Sequence, residues 1–318
     1  MKTLTINYLS HDRHDFLEYW KITSSIINQI KQKEYIKLNI LCTNNFEYEK
    51  YISDEIEVNK YVCNSYMDKI KIIAQSNTEY SMKLDEDIFF SSHLFDEFIS
   101  MSQESNFNGI YWPLISLNTR FVDIFIEDFI KDKKVKNKIN QEFLKVFFKK
   151  NLWGQGYKYI FLNRHTYFSS KWNPEKFYNS VSKINSHYKG IHPVRLSFPS
   201  QKLINEYIIS NLNLIFKKNK YEIKKIQNFY VTSSCYFMKT INFKNYLALK
   251  SYDAFDEVQL NNYIKEFKID SYLIKNGFAI HTLFSTVKGS KKGIGIDLEE
   301  SIKYETNFVR QIKNYLNI

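Results

Sequence analysis

Short apolar runs alternate with helical spacings through the first third of the chain. Residues 3–9 form a run of β-formers that ends in a polar loop at 10–14. Between 16 and 30, apolar side chains recur at Phe16, Leu17, Trp20, Ile22, Ile26, Ile27 and Ile30, the spacing of one helix face. Residues 38–42 read as a short buried strand, closed by Thr43, Asn44 and Asn45, a turn signal. A helix is expected over 66–74, then a strand over 80–84 that runs straight into Asp85, Glu86 and Asp87. A helix over 94–101 and a strand over 109–117 follow. Strands separated by helices predict an α/β fold with a mostly parallel sheet and right-handed crossovers. Ligands of such sheets bind beyond the C-terminal ends of the strands. The loop after the first strand and the acid run both fall at such ends, so they share a rim.

Beyond residue 117 the pattern loosens. The stretch 118–228 is rich in aromatics and lysine, with turn-like segments at 153–156 and 190–193. It reads as an insertion in one continuous domain, not as an independent unit. Strand character resumes at 229–239. A polar loop at 251–257, a helix over 258–267 and a strand over 277–283 come next, and a Lys-rich loop at 288–292 leads into a C-terminal helix.

Composition narrows the class. A chain of 318 residues with 44% hydrophobic and 17% aromatic residues builds a sizeable core, and this excludes a disordered or low-complexity protein. The net charge of +11 attracts nucleotides, nucleic acid or an anionic membrane face without choosing among them. The lysine clusters at 131–138 and 216–225 read as solvated faces. Cys42, Cys63 and Cys235 form no CxxC, which argues against a disulfide framework or zinc knuckle and suits a reducing compartment. Cys42 lies in an apolar run and reads as core. The N-terminus has no signal-peptide pattern, and no apolar run reaches the roughly 18 residues of a membrane span. The expected location is cytoplasmic, with peripheral contact at the inner membrane face.

The acid run carries the sharpest chemistry. Asp85, Glu86 and Asp87 sit between two apolar segments, where three carboxylates repel one another. A divalent cation relieves that repulsion, and Mg²⁺ or Mn²⁺ is held by a few carboxylates plus substrate phosphates. The competing reading is a helix N-cap with extra acids in its first turn.

Residues 80–90 resemble the Asp-x-Asp segment of GT-A-fold nucleotide-sugar glycosyltransferases. Lys83, Ile88 and Phe89 are most similar to the beta-1,3-galactosyltransferase and Fringe-type members, and the loop after the first strand is similar to that of family-2-like enzymes. Residues 65–69 are similar to a helix start in those proteins. The likeness covers about residues 1–117 and 229–285. It implies a GT-A-type, Rossmann-like sandwich with residues 1–117 as the nucleotide-sugar half. Residues 118–228 would shape the acceptor cleft, and 229–318 would form the acceptor side. It implies that Ser10, His11, Asp12 and Arg13 cradle the nucleoside. Lys69, Lys83 and Asp85 would bind the nucleotide-sugar donor, and Lys288 is a candidate to reach its diphosphate. Asp87 would be the main ligand of Mn²⁺ or Mg²⁺, with Asp85 bridging to ribose or metal and His281 completing the shell. Asn44 and Asn45 stand where many relatives place a base-contacting acid, a departure that leaves the nucleobase open, with a UDP-sugar favoured.

The resemblance also implies that an acid at the start of a late helix is the general base, here Asp256 or Glu257. Such a base must sit within hydrogen-bond reach of the acceptor hydroxyl. The acid pair points to inversion, with retention left open. Helix capping is the competing reading for both acids, and a boundary histidine is the competing reading for His281. Lys288 lies near Gly289, Gly293 and Gly295, as a loop that closes over a donor would. Arg195, in the segment beginning at His192, is a candidate phosphate ligand. Trp112, Trp153 and Trp172 are candidates for stacking on a sugar, against the commoner role of core aromatics. The resulting expectation is a hexosyltransferase of bacterial surface polysaccharide synthesis, acting on a glycan or lipid-linked acceptor. A metal-dependent nucleotidyltransferase is the enzyme alternative, although no Gly-rich phosphate loop follows the first strand. A non-catalytic nucleic-acid-binding protein is the other, although no recognisable module interleaves basic and aromatic residues.

Overall fold

The computed structural model describes residues 2–11, 15–104, 107–117, 121–148, 198–226, 231–248, 256–282 and 298–318. Strand β1 (Leu4–Leu9) is buried at every position, as a strand covered on both faces must be. Helix α1 (Phe16–Asn28) buries Trp20, Ile22, Ile26 and Ile27, the stripe visible in its spacing. It leads to β2 (Ile36–Cys42), which pairs in parallel with β1. Strand β3 (Glu57–Val62) extends that edge, and α2 (Tyr66–Ala74) crosses back to β4 (Tyr80–Asp85), parallel to β1 on its other side. Ser65 caps α2 by accepting a hydrogen bond from the Asp68 amide.

Strand β5 (Ile88–Phe89) then precedes α3 (Ser92–Gln103) and β6 (Ile110–Ile115). Helices α4 (Phe121–Phe129), α5 (Lys133–Phe148), α6 (Phe198–Ser210) and α7 (Leu212–Phe216) come next. After them the chain re-enters the sheet as β7 (Glu222–Ile226) and β8 (Cys235–Lys239). Helices α8 (Thr240–Ala248) and α9 (Asp256–Glu266), strand β9 (Ser271–His281) and helix α10 (Leu298–Leu316) complete the order. The strands lie in the order β3-β2-β1-β4-β8-β6-β9-β5, with β7 also on β9.

The fold is α/β, but the sheet is mixed and not mostly parallel. β8 runs antiparallel between β4 and β6, and both β5 and β7 run antiparallel to β9. An apolar run identifies a strand without giving its direction, and β8 takes its direction from neighbours far away in sequence. β3 and β7 were not expected from the pattern. β3 has no buried position and β7 is exposed up to Ile226, so neither carries the apolar signal of a buried strand. The last part of the 118–228 stretch therefore contributes a strand to the common sheet. The β6–β9 register shifts after Pro113, from Pro113↔Ile274 to Leu114↔Phe278. Asn276 in the bulged segment adopts a positive φ of 63°, as bulges often require. The shift carries β9 on to His281, opposite Ile88.

The exposed lysines around 131–138 stand on a solvated segment and helix start. All three cysteines are buried and free. No helix among the described residues is long and apolar enough to cross a membrane.

Candidate functional site

Asp85 closes β4, and Glu86 and Asp87 form the turn into β5. The helix-cap reading of the acids therefore fails. The next helix, α3, is capped by Ser91, whose hydroxyl accepts from the Leu94 amide at 3.2 Å. The three carboxylates point to three different surroundings, because the turn breaks the alternation of the strand.

Glu86 is fully buried and acts as a brace. Its Oε2 accepts from the Ser10 hydroxyl at 3.0 Å and from the His11 amide at 2.9 Å. The Tyr48 hydroxyl donates to Ser10 Oγ at 3.0 Å, and the buried Lys69 ammonium donates to the Ser10 carbonyl. Glu86 and Lys69 thus hold the first-strand loop from both sides. Lys69 is turned inward against the backbone of the loop.

Asp85 is balanced by a buried cation. Lys83 Nζ, 1% exposed, lies 2.6 Å from Asp85 Oδ1 and also donates to the Ser233 carbonyl. His11 Nε2 is 3.9 Å from the same carboxylate oxygen. Burial pushes the Asp85 carboxyl up, but the Lys83 charge and His11 outweigh it and hold the group below the usual carboxylate range. The His11 ring lies nearly parallel to that of Tyr66, with centroids 6.5 Å apart. Lys83 Nζ sits 5.6 Å from the centre of the Tyr66 ring.

Asp87, 1% exposed, faces His281, with Oδ2 3.3 Å from Nε2. The other ring nitrogen, Nδ1, lies 3.3 Å from the Leu117 carbonyl oxygen. A carbonyl only accepts, so this contact places the proton of a neutral imidazole on Nδ1 and turns the Nε2 lone pair toward the carboxylate. Two electron-rich atoms facing each other in a buried site call for a proton or a metal cation between them. A backbone carbonyl fixing the far nitrogen is the usual support of a metal-ligating histidine. The pair is anchored on every side: Thr282 N donates to the Asp87 carbonyl at 3.1 Å, and His281 N donates to Ser116 Oγ at 3.0 Å.

The start of β8 joins this rim to α9. Asp85 N donates to the Ser234 carbonyl at 2.9 Å. Three residues earlier, Val231 exchanges two hydrogen bonds with the Asn261 side chain at 2.9 and 2.8 Å. Asn261 Nδ2 also donates to the Glu257 carbonyl at 2.7 Å. The first turn of α9, which contains Glu257 and opens at Asp256, is thereby tied to the segment that contacts Asp85 and Lys83. Nothing in the helical pattern of 258–267 shows this link.

Among the expected site residues, the structure brings together Ser10, His11, Lys69, Lys83, Asp85, Asp87 and His281, with Glu257 one helical turn from Asn261. Asp12, Arg13, Lys288, His192, Arg195, Trp153 and Trp172 lie outside the described residues, as does the side chain of Asp256. Trp112 is a correction. It is fully buried and donates to the Thr232 carbonyl at 2.9 Å, so it is core and unavailable for stacking on a sugar. Asn44 accepts from the Phe46 amide at 3.0 Å, closing an Asx turn. Ser116, Leu117, Tyr48 and Tyr66 were not singled out in the sequence, and their residue types give no signal for these roles.

No family model matches the chain, and no curated protein matches it significantly. Among the described residues, no three His, Cys, Asp or Glu side chains meet in a metal-holding group. What meets is the Asp87–His281 pair, while Asp85 is turned to Lys83 and His11. One carboxylate and one imidazole suit Mn²⁺ better than Mg²⁺, when substrate phosphates and water supply the remaining ligands.

Proposed function

We propose that the chain is a metal-dependent glycosyltransferase of GT-A type. In this reading it moves a sugar from a nucleotide diphosphate to a hydroxyl of a glycan or lipid-linked acceptor. The observation that carries the reading is the Asp87–His281 pair, assembled from residues far apart in the sequence with the imidazole contacting the Leu117 carbonyl. Asp87 and His281 hold the cation, which supplies charge neutralisation for a diphosphate leaving group. Lys83 keeps Asp85 ionised, so that it can accept hydrogen bonds from a ribose. Glu86 fixes Ser10 and His11 where the nucleoside lies, at the C-terminal end of β1. The first turn of α9 is tied through Asn261 to the segment that contacts Asp85 and Lys83, and in this reading Asp256 or Glu257 takes the proton of the acceptor hydroxyl. Attack from that side gives inversion. The charge of +11 favours an anionic donor, and also an acceptor held at an anionic lipid surface.

The test is calorimetric titration with a panel of nucleotide-diphosphate sugars, UDP-sugars first, in Mn²⁺ and in EDTA, with Asp87→Ala in parallel. Binding that needs Mn²⁺ and is lost in the variant is the expected result. A folded wild type that binds no donor in Mn²⁺ overturns the reading.

A further inference from the structure

The face of the sheet under α2 carries a row of polar side chains. Lys83, Asn7, Asn39 and Asn59 are register partners across four adjacent strands. Asn39 donates to the Asn7 side chain at 3.0 Å, and Asn7 donates to the Met82 carbonyl at 3.1 Å. Near the β3 edge, toward the N-terminal ends of the strands, this face opens into a cavity of about 270 Å³. Lys37, Asn39 and Tyr61 line it from the strands, and Gln75, Ser76 and Asn77 from the end of α2 and the turn after it. At about 4.8 Å between strands, Asn39 lies roughly 10 Å from the Lys83 strand. The cavity is separate from the acid rim, which stands at the opposite ends of the strands.

Its chemistry is specific. Three primary amides, a serine hydroxyl and a tyrosine border a single space. Lys37, the one charged group among them, is paired with Glu57 at 2.7 Å, so the lining presents little net charge to a ligand. The Ser76 hydroxyl is buried and has no hydrogen-bond partner among the described residues. That oxygen is closed off from solvent, so the polar groups a ligand meets at this end of the cavity are the exposed Gln75 and Asn77 amides. Amides both donate and accept, which matches the hydroxyls of a sugar, each of which also does both. Tyr61, 36% exposed, offers an aromatic face beside them. The volume falls just below the roughly 300 Å³ at which pockets for drug-sized ligands begin, the scale of a mono- or disaccharide.

We propose that this cavity is a second, metal-independent binding site for a neutral sugar, distinct from the acid rim. It stands whether or not the acid rim is a transferase site. In a glycan-building enzyme it would hold a stretch of the product or acceptor chain away from the reacting end.

The test uses saturation-transfer NMR on the full chain in EDTA, without nucleotide. Glucose, galactose, N-acetylglucosamine and their disaccharides are the probes, and inorganic phosphate is the competitor. At least one neutral sugar is expected to bind at roughly millimolar dissociation constant, since few contacts are made. Gln75→Ala and Asn77→Ala change exposed residues and keep the fold. Each is expected to weaken binding about tenfold, the equivalent of one hydrogen bond. Asp87→Asn is expected to leave it unchanged. The proposal is overturned by no sugar binding, by displacement with phosphate, or by binding that survives Gln75→Ala and Asn77→Ala but disappears in Asp87→Asn. Failure here leaves the Mn²⁺-dependent donor titration untouched, so the two readings fail separately.

Discussion

Adjacent acids in one turn are assigned opposite duties, and Glu86→Ala beside Asp87→Asn separates them. Glu86 is fully buried and its Oε2 takes hydrogen bonds from Ser10 Oγ and the His11 amide. Truncation removes the carboxylate that accepts the Ser10 hydroxyl bond, while Tyr48 still donates to that oxygen. It also strips the partly buried His11 amide. Each orphaned donor costs about 1–3 kcal/mol, and a small void adds to this, so a loss of about 3–5 kcal/mol is expected. For a chain of this size that lowers Tm by roughly 4–8 °C. Asp87→Asn keeps the shape of the side chain and its Thr282 backbone contact. The new amide can donate to His281 Nε2. Its stability is expected to stay within about 1 kcal/mol of wild type, while Mn²⁺-dependent donor binding falls at least about tenfold. Urea unfolding and scanning calorimetry read the first quantity, and donor titration the second. The reasoning is refuted if Asp87→Asn loses as much stability as Glu86→Ala, or if Glu86→Ala melts with the wild type.

Lys83→Met removes the counter-charge of Asp85 and is expected to cost about 3–5 kcal/mol, as breaking one side of a buried ion pair does; a urea midpoint equal to wild type would refute this. Tyr8→Phe deletes a buried hydroxyl that has no hydrogen-bond partner among the described residues, so Tm is expected to hold or rise, and a fall of several degrees would count against it. Burial pushes the Glu18 carboxyl up, but hydrogen bonds from Lys21 and Lys313 outweigh it and lower it below its ordinary value. The stability that Glu18 lends to the α1–α10 contact is therefore complete above its unfolded pKa of about 4.3 and is lost as pH falls through the lower folded value. Hydrogen exchange in α10 should accelerate over that acid range in the wild type and show no such step in Glu18→Gln.

Local pattern was enough for the elements whose burial is one-sided or complete. The spacing from Phe16 to Ile30 forms α1, residues 66–74 form α2 behind the Ser65 cap, and the apolar run at 80–84 is the body of β4. It also placed the acid run at a strand end, because a charged cluster terminates a buried strand wherever it occurs. Strand direction was not legible: β8 lies antiparallel between β4 and β6 through contacts that no short window contains. The exposed strands β3 and β7 lacked the apolar signal for the same reason that they are exposed. The duties of Asp85, Glu86 and Asp87 were equally hidden. Each carboxylate is defined by a partner far along the chain, Ser233 beside the Lys83–Asp85 pair, Ser10 at Glu86 and His281 at Asp87. Chemistry that depends on which side chains meet is decided by the closing of the sheet, and a linear pattern reports only which residues are available to meet.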